Sequence, residues 1–259
     1  MQFLPTRQVA VEVLGFSVHW YGLLYLAAFL LAYHLVLRLQ HLRSLELDKD
    51  AVSSLLSWAI GGVIVGGRMG YVLFYEYAYF SQNTLEVLAV WNGGMSSHGG
   101  FIGVAVALGI ALKKRGVPVL AFLDVITVPI ALGLACGRLG NFINWELYGT
   151  VSDLPWAMVI PGVEGLRHPT FFYALIKNLL IAAICYRHLR LSYPRPGETF
   201  SIFLLLYGIL RFFVEYFREQ PYGWFEVGVI SLSRGQLLTL PLILIGVISF
   251  LMVGRRQNS

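Results

Sequence analysis

Seven stretches of this chain are apolar over about the length needed to cross a bilayer, and that constraint precedes every other. A hydrocarbon layer about 30 Å thick calls for roughly 20 apolar residues in a helix. Lipid offers the backbone no hydrogen-bond partners, so each stretch must satisfy its own amides and carbonyls. The expected spans are 18 to 37, 52 to 75, 97 to 112, 119 to 137, 170 to 186, 199 to 217 and 236 to 254. The third is short and glycine-rich. Charged residues make up 13% of the chain against 57% hydrophobic, whereas soluble domains carry roughly 25% charged. The expectation is an all-α, polytopic membrane helical bundle of about seven transmembrane helices. It forms a single domain, 1 to 259, with a small extracytoplasmic head at about 138 to 169 between the fourth and fifth helices.

Basic residues orient this bundle. Of the 19 lysines and arginines, eleven fall in alternate connections and at the end of the chain: Arg38, Arg43 and Lys49; Lys113, Lys114 and Arg115; Arg187, Arg190 and Arg195; Arg255 and Arg256. The positive-inside rule puts these in the cytoplasm, the N-terminus outside and the C-terminus inside. The net charge of +5 is therefore topological and implies no nucleic-acid partner. The two cysteines, Cys136 and Cys185, fall at opposite ends of successive spans, and no disulfide or metal framework follows.

Where the fourth span ends, the chain reads Gly137-Arg138-Leu139-Gly140-Asn141-Phe142-Ile143-Asn144-Trp145-Glu146-Leu147-Tyr148-Gly149. A guanidinium, two carboxamides and a carboxylate stand among three glycines. Gly137, Gly140 and Gly149 are expected to break the helix and turn its amides toward a ligand. Tyr207, Arg211, Glu215 and Arg218 are spaced by four, four and three and so share one helical stripe. Arg211 lies about 10 Å inside the outer end of its span at 1.5 Å per residue, which is costly unless it is paired or faces a hydrated cavity. A structural Arg211–Glu215 pair is the alternative to a binding role. Arg68 sits at a similar depth within Gly66-Gly67-Arg68-Met69-Gly70, where helix packing around small residues is the alternative.

His98, in Ser96-Ser97-His98-Gly99-Gly100, opens the third span at the same membrane face, as Tyr21 opens the first and His168 precedes the fifth. A neutral imidazole near cations stays available as a base. Asp124, in the cytoplasmic half, is expected to pair or to cap a helix. Lys177, within the fifth span, is expected to snorkel or to meet an acid.

Cations, amides, acids and one histidine at the outer leaflet suit the phosphate of a lipid head group. The chain has no zinc-ligand spacing and no Gly-x-Ser-x-Gly elbow, and neither a metal nor a diffusible cofactor is implied. The residues alone thus indicate a site for lipid phosphate and leave the reaction open. A transporter for an anionic lipid, or a silent lipid-binding protein, remains an alternative.

His19-Trp20-Tyr21-Gly22, Gly67 to Tyr71, Gly93 to Gly100, Gly137 to Glu146, and Tyr207-Gly208 through Arg211 to Glu215 together resemble the bacterial prolipoprotein diacylglyceryl transferases, in order and over nearly the whole chain. The resemblance implies a multi-pass enzyme of the bacterial cytoplasmic (inner) membrane whose partners are phosphatidylglycerol and the lipobox segment of a preprolipoprotein. It implies that Arg138 and Arg211 bind phosphate and that His98 generates the cysteine thiolate. Asn141, Asn144 and Glu146 then hold the head group, Glu215 orients Arg211, and Tyr21, Arg68 and Tyr207 line the site. The chain departs from the family pattern at Asn92, at Phe171 to Ala174 and at Arg234, which bears on substrate preference and leaves room for a diverged paralogue.

Overall fold

The computed structural model describes residues 2–3, 7–13, 15–191, 195–220, 223–227 and 230–255. In chain order the strands are β1 (Gln2–Phe3), β2 (Val9–Val13), β3 (Phe16–His19), β4 (Met158–Val159), β5 (Leu166–Arg167), β6 (Trp224–Val227) and β7 (Ile230–Ser233). The helices are α1 (Trp20–Leu39), α2 (Lys49–Phe74), α3 (Tyr77–Gln82), α4 (Ser97–Lys114), α5 (Val119–Asn144), α6 (Thr170–Leu189), α7 (Glu198–Tyr216) and α8 (Arg234–Arg255).

Six of these helices, α1 with its following 3-10 turn, α2, α5, α6, α7 and α8, are long and apolar enough to cross a membrane. The protein is a multi-pass helical bundle whose strands form only small separate sheets. The third expected span, 97 to 112, is α4, an 18-residue helix that falls outside that set. Arg256, expected to anchor the C-terminus, lies outside the described residues.

The chain divides into two compact units, Met1–Arg43 with Leu123–Ser259, and Ser44–Phe122. In the first unit β1, β2 and β3 form an antiparallel sheet that leads directly into α1. Helix α7 packs against both α6 and α8. The start of α8 is fixed by a reciprocal capping box: the Gln236 amide donates to Ser233 Oγ at 3.1 Å, and the Ser233 amide to Gln236 Oε1 at 2.9 Å.

One end of this unit is tied by buried charge. Asp124, fully buried, accepts hydrogen bonds from Arg43 Nε at 2.8 Å and from the amides of Gly197 and Phe200, both at 2.9 Å. Arg43 also donates to Thr199 Oγ1 at 2.8 Å and to the Leu189 carbonyl at 3.2 Å. The expectation that Asp124 pairs and caps holds on both counts. It neutralises Arg43 and satisfies amides at the start of α7 that no helical carbonyl reaches. Burial on this scale is stable only because every partner is present.

In the second unit α2 and α4 meet along a seam of glycines. A Cβ at Gly62 would come within 2.7 Å of the Gly103 carbonyl oxygen, and one at Gly70 within 2.8 Å of the Gly99 Cα. Gly62, Gly66 and Gly70 recur at every fourth position, as do Gly99 and Gly103, so each helix presents a bare stripe to the other. The small residues around Arg68 thus have a packing role.

One expectation about glycine is overturned. Helix α5 runs unbroken through Gly137 and Gly140 to Asn144, which moves the expected end of the fourth span from 137 to 144. A Cβ at Gly140 would stand 2.7 Å from the Tyr21 ring, so glycine here admits an aromatic ring and leaves the helix intact. The turn instead falls on Trp145 and Leu147, with φ of 57° and 56°. These are strained positions for residues with side chains. The Glu146 amide closes the helix on the Asn141 carbonyl at 2.9 Å. Gly149 extends nothing toward a ligand; its amide bonds the His168 carbonyl at 2.8 Å.

Candidate active site

The antiparallel run of the first unit brings the C-terminal turns of α5 and α7 to the same end as the start of α6. Their polar residues meet there. On α5, Arg138 Nη1 donates to Asn141 Oδ1 at 3.0 Å, and Asn141 Nδ2 reaches Glu146 Oε2 at 3.3 Å and the Tyr21 hydroxyl at 3.4 Å. Asn144 Nδ2 donates to Glu146 Oε1 at 3.0 Å. The last turns of α5 and the residues just beyond them thus carry a continuous chain of guanidinium, amide and carboxylate, closed onto α1 by Tyr21.

Helix α7 supplies the second half. Glu215 is buried at 2% exposure. Its Oε2 lies 2.6 Å from Arg211 Nη2, and its Oε1 lies 3.6 Å from Arg218 Nη1. Gln220 Nε2 donates to Oε1 at 3.3 Å. The carboxylate rests on Gly235, where any side chain would collide with it. Arg218, just past the helix, is held below its ordinary arginine pKa first by burial, with Arg211 and Arg138 adding to the effect and Glu215 opposing it.

These two halves sense each other. Arg138 lies within electrostatic reach of Arg211, Glu215 and Tyr207, and Arg218 within reach of both other arginines. Arg211 and Arg218 therefore share Glu215 at ion-pair distance, and Arg138 is tied through Asn141 to Glu146, so three guanidiniums against two carboxylates leave an excess of positive charge in a partly buried site. Such an arrangement favours an anionic ligand with several oxygen acceptors.

A family model described as Prolipoprotein diacylglyceryl transferase matches residues 8–252. Proteins named Phosphatidylglycerol--prolipoprotein diacylglyceryl transferase are similar over almost the full length. The one from Janthinobacterium sp. (strain Marseille) is 42% identical, covering 96% of each chain. That from Geobacter sulfurreducens is 41% identical over 99% of each. The Bordetella avium protein is 40% identical over 100% of this chain and 98% of its own.

The chain belongs to the prolipoprotein diacylglyceryl transferase family.

The structure brings Tyr21, Arg138, Asn141, Asn144, Glu146, Arg211 and Glu215 toward one end of the first unit, with Tyr207 deeper, at the middle of α7. Arg68 and His98 belong to the second unit. The Arg68 guanidinium is committed to loop carbonyls: Nε to Val87 at 2.9 Å, Nη1 to Gly93 at 2.6 Å and Gly94 at 3.2 Å, and Nη2 to Glu86 at 2.6 Å. It folds the segment that precedes α4, and it borders a cavity of about 300 Å³ with Tyr71, Tyr79, Glu86 and Asn92. His98 is exposed in the first turn of α4. His168 belongs to the segment between α5 and α6, where Tyr173 bridges its Nδ1 at 3.0 Å and Trp156 Nε1 at 2.8 Å.

Among the departures from the family pattern, Phe171 has a clear packing role. Phe171, at 1% exposure, packs against Phe142, Trp145 and Phe172. Arg7 stacks over Phe142 and Trp145 and donates to the Ile143 carbonyl at 2.8 Å, sealing the end of α5. Ser233 and Gln236 form the α8 cap and Gly235 seats Glu215, so Arg234 stands between three positions whose work is intact. Sequence reasoning missed Arg7 and Gln220, and no periodicity or motif marks either.

Proposed function

We propose that this protein transfers the diacylglyceryl group of phosphatidylglycerol to the lipobox cysteine thiol of a preprolipoprotein, the first step of lipoprotein maturation. It acts in the bacterial cytoplasmic membrane as one transferase domain, 1 to 259, with its N-terminus and the head at about 138 to 169 outside and its C-terminus in the cytoplasm. The observation that carries this reading is the pairing of Arg211 and Arg218 with Glu215, with Arg138 tied through Asn141 to Glu146, in a chain similar to named transferases from end to end.

The chemistry follows from the charges. The thiol gives its proton to His98, and the resulting thiolate is the competent nucleophile. Its sulfur attacks the terminal glyceryl carbon, a C–S bond forms, and the C–O bond to phosphate breaks. The electron pair leaves on the phosphate oxygen, so a monoanionic diester becomes a dianionic monoester, glycerol phosphate. Arg138 and Arg211 gain interaction energy as that second charge develops, which is how fixed cations accelerate a reaction rather than merely bind its substrate. Asn141, Asn144 and Glu146 hold the glycerol hydroxyls, Tyr21 and Tyr207 line the cleft, and Glu215 keeps Arg211 in position.

The test is transfer of labelled lipid from phosphatidylglycerol to a lipobox peptide in proteoliposomes. Wild-type protein is expected to form a thioether product, Arg138→Gln and His98→Gln to lose at least about a hundredfold in rate. Full activity of His98→Gln would remove the base from the scheme, and absence of product with wild type would remove the reaction.

A further inference from the structure

Lys177 answers to neither of the roles that its position in an apolar helix suggests. It stands in α6 at 6% exposure, so its amine does not snorkel to water. Among the described residues no carboxylate lies within ion-pair distance of it, and Glu215 is already engaged by Arg211 and Arg218. The Nζ atom donates to Asn178 Oδ1 at 2.6 Å and lies 3.9 Å from the centroid of the Tyr207 ring. The Tyr207 ring that it faces is one helical turn from Arg211 on α7, and Arg138 and Arg211, both of its own sign, act on it.

A buried ammonium held by one amide and one ring face, with guanidiniums of the same sign acting on it, is a costly arrangement. Snorkelling would relieve it, and the chain does not take that route. The cost is recovered when an anion enters, because like charges that repel one another then share a counter-charge. The Tyr207 ring and Asn178 fix where the amine stands, between α6 and the helix that carries Arg211.

We propose that Lys177 is a third phosphate-binding cation of this site, acting with Arg138 and Arg211 on the phosphate group of an anionic glycerophospholipid. The inference rests on the transferase reading above and adds to it a residue that sets the head-group charge the site accepts. Lys177 attracts the phosphodiester on entry and holds the dianionic glycerol phosphate more strongly, so it also slows release of that product.

The experiment follows thermal unfolding of the full chain in phosphatidylcholine nanodiscs, for wild type, Lys177→Met and Lys177→Gln, as phosphatidylglycerol is added. In neutral lipid both variants are expected to melt at or above the wild-type temperature, since a repelled buried charge has gone. The phosphatidylglycerol content giving half of the protective shift is expected to rise about tenfold, the loss of one charge-assisted contact. A parallel titration with glycerol phosphate isolates the free anion, and Lys177 is expected to matter in both arms because both ligands carry phosphate. Variants that unfold earlier in neutral lipid with unchanged half-saturation, or that do not fold, would assign Lys177 a structural role and overturn the proposal. Wild type that gains no stability from phosphatidylglycerol would instead overturn the lipid reading itself.

Discussion

Replacing Glu215 by glutamine changes one charge and almost no volume, at the point where the α7 half of the site is held together. The carboxylate is 3% exposed as a side chain, while Arg211 and Arg218 are 15% and 22% exposed. Removing one partner of a fully buried ion pair costs about 3–5 kcal/mol. Here both guanidiniums retain some access to water, and the glutamine oxygen still accepts one hydrogen bond, so about 2–3 kcal/mol is the expected loss. For a chain of this size that corresponds to a fall of about 4–6 °C in the melting temperature. The cations left without a carboxylate should draw the variant closer to anionic lipid, so phosphatidylglycerol should raise its melting temperature by more than it raises that of wild type. Transfer should slow by about a hundredfold, because Arg211 loses the group that aims it. Differential scanning fluorimetry in neutral nanodiscs, repeated with phosphatidylglycerol, reads the first two effects. A variant that melts with wild type in neutral lipid and transfers at the wild-type rate refutes the assignment of Glu215 as the organiser of Arg211.

Two further changes probe the scaffold. Asp124→Ala strips Arg43 of its counter-charge and leaves the Gly197 and Phe200 amides unsatisfied; it should cost about 3–5 kcal/mol, read as a lower melting temperature of purified protein with little change in transfer per folded molecule. Gly103→Leu puts a branched side chain against the Gly62 and Gly66 backbone of α2 and should part α2 from α4, read as faster proteolysis of the 44–122 unit.

Hydropathy made the spans legible, because crossing a bilayer restricts both the length and the composition of a helix. It was blunt at their ends. The expected end at 137 rested on glycine as a helix breaker, whereas Gly140 is there to admit the Tyr21 ring and the turn falls on Trp145 and Leu147. Sequence spacing placed Arg211, Glu215 and Arg218 on one stripe, and their pairing follows from that spacing alone. The meeting of Lys177 with the Tyr207 ring, and of Asn141 with the Tyr21 hydroxyl, depends on how the helices pack. No local pattern carries that information. Arg68 shows the reverse case: depth and charge suggested a ligand, while its hydrogen bonds go to carbonyls nearly twenty or more residues along the chain.

The central claim is that guanidiniums from α5 and α7 hold a single lipid phosphate. An electron cryomicroscopy map of the protein in phosphatidylglycerol nanodiscs tests it directly. The account predicts head-group density with Arg138 and Arg211 both within hydrogen-bonding distance of one phosphate. A phosphate bound elsewhere, with side chains packed between the two arginines, would contradict it.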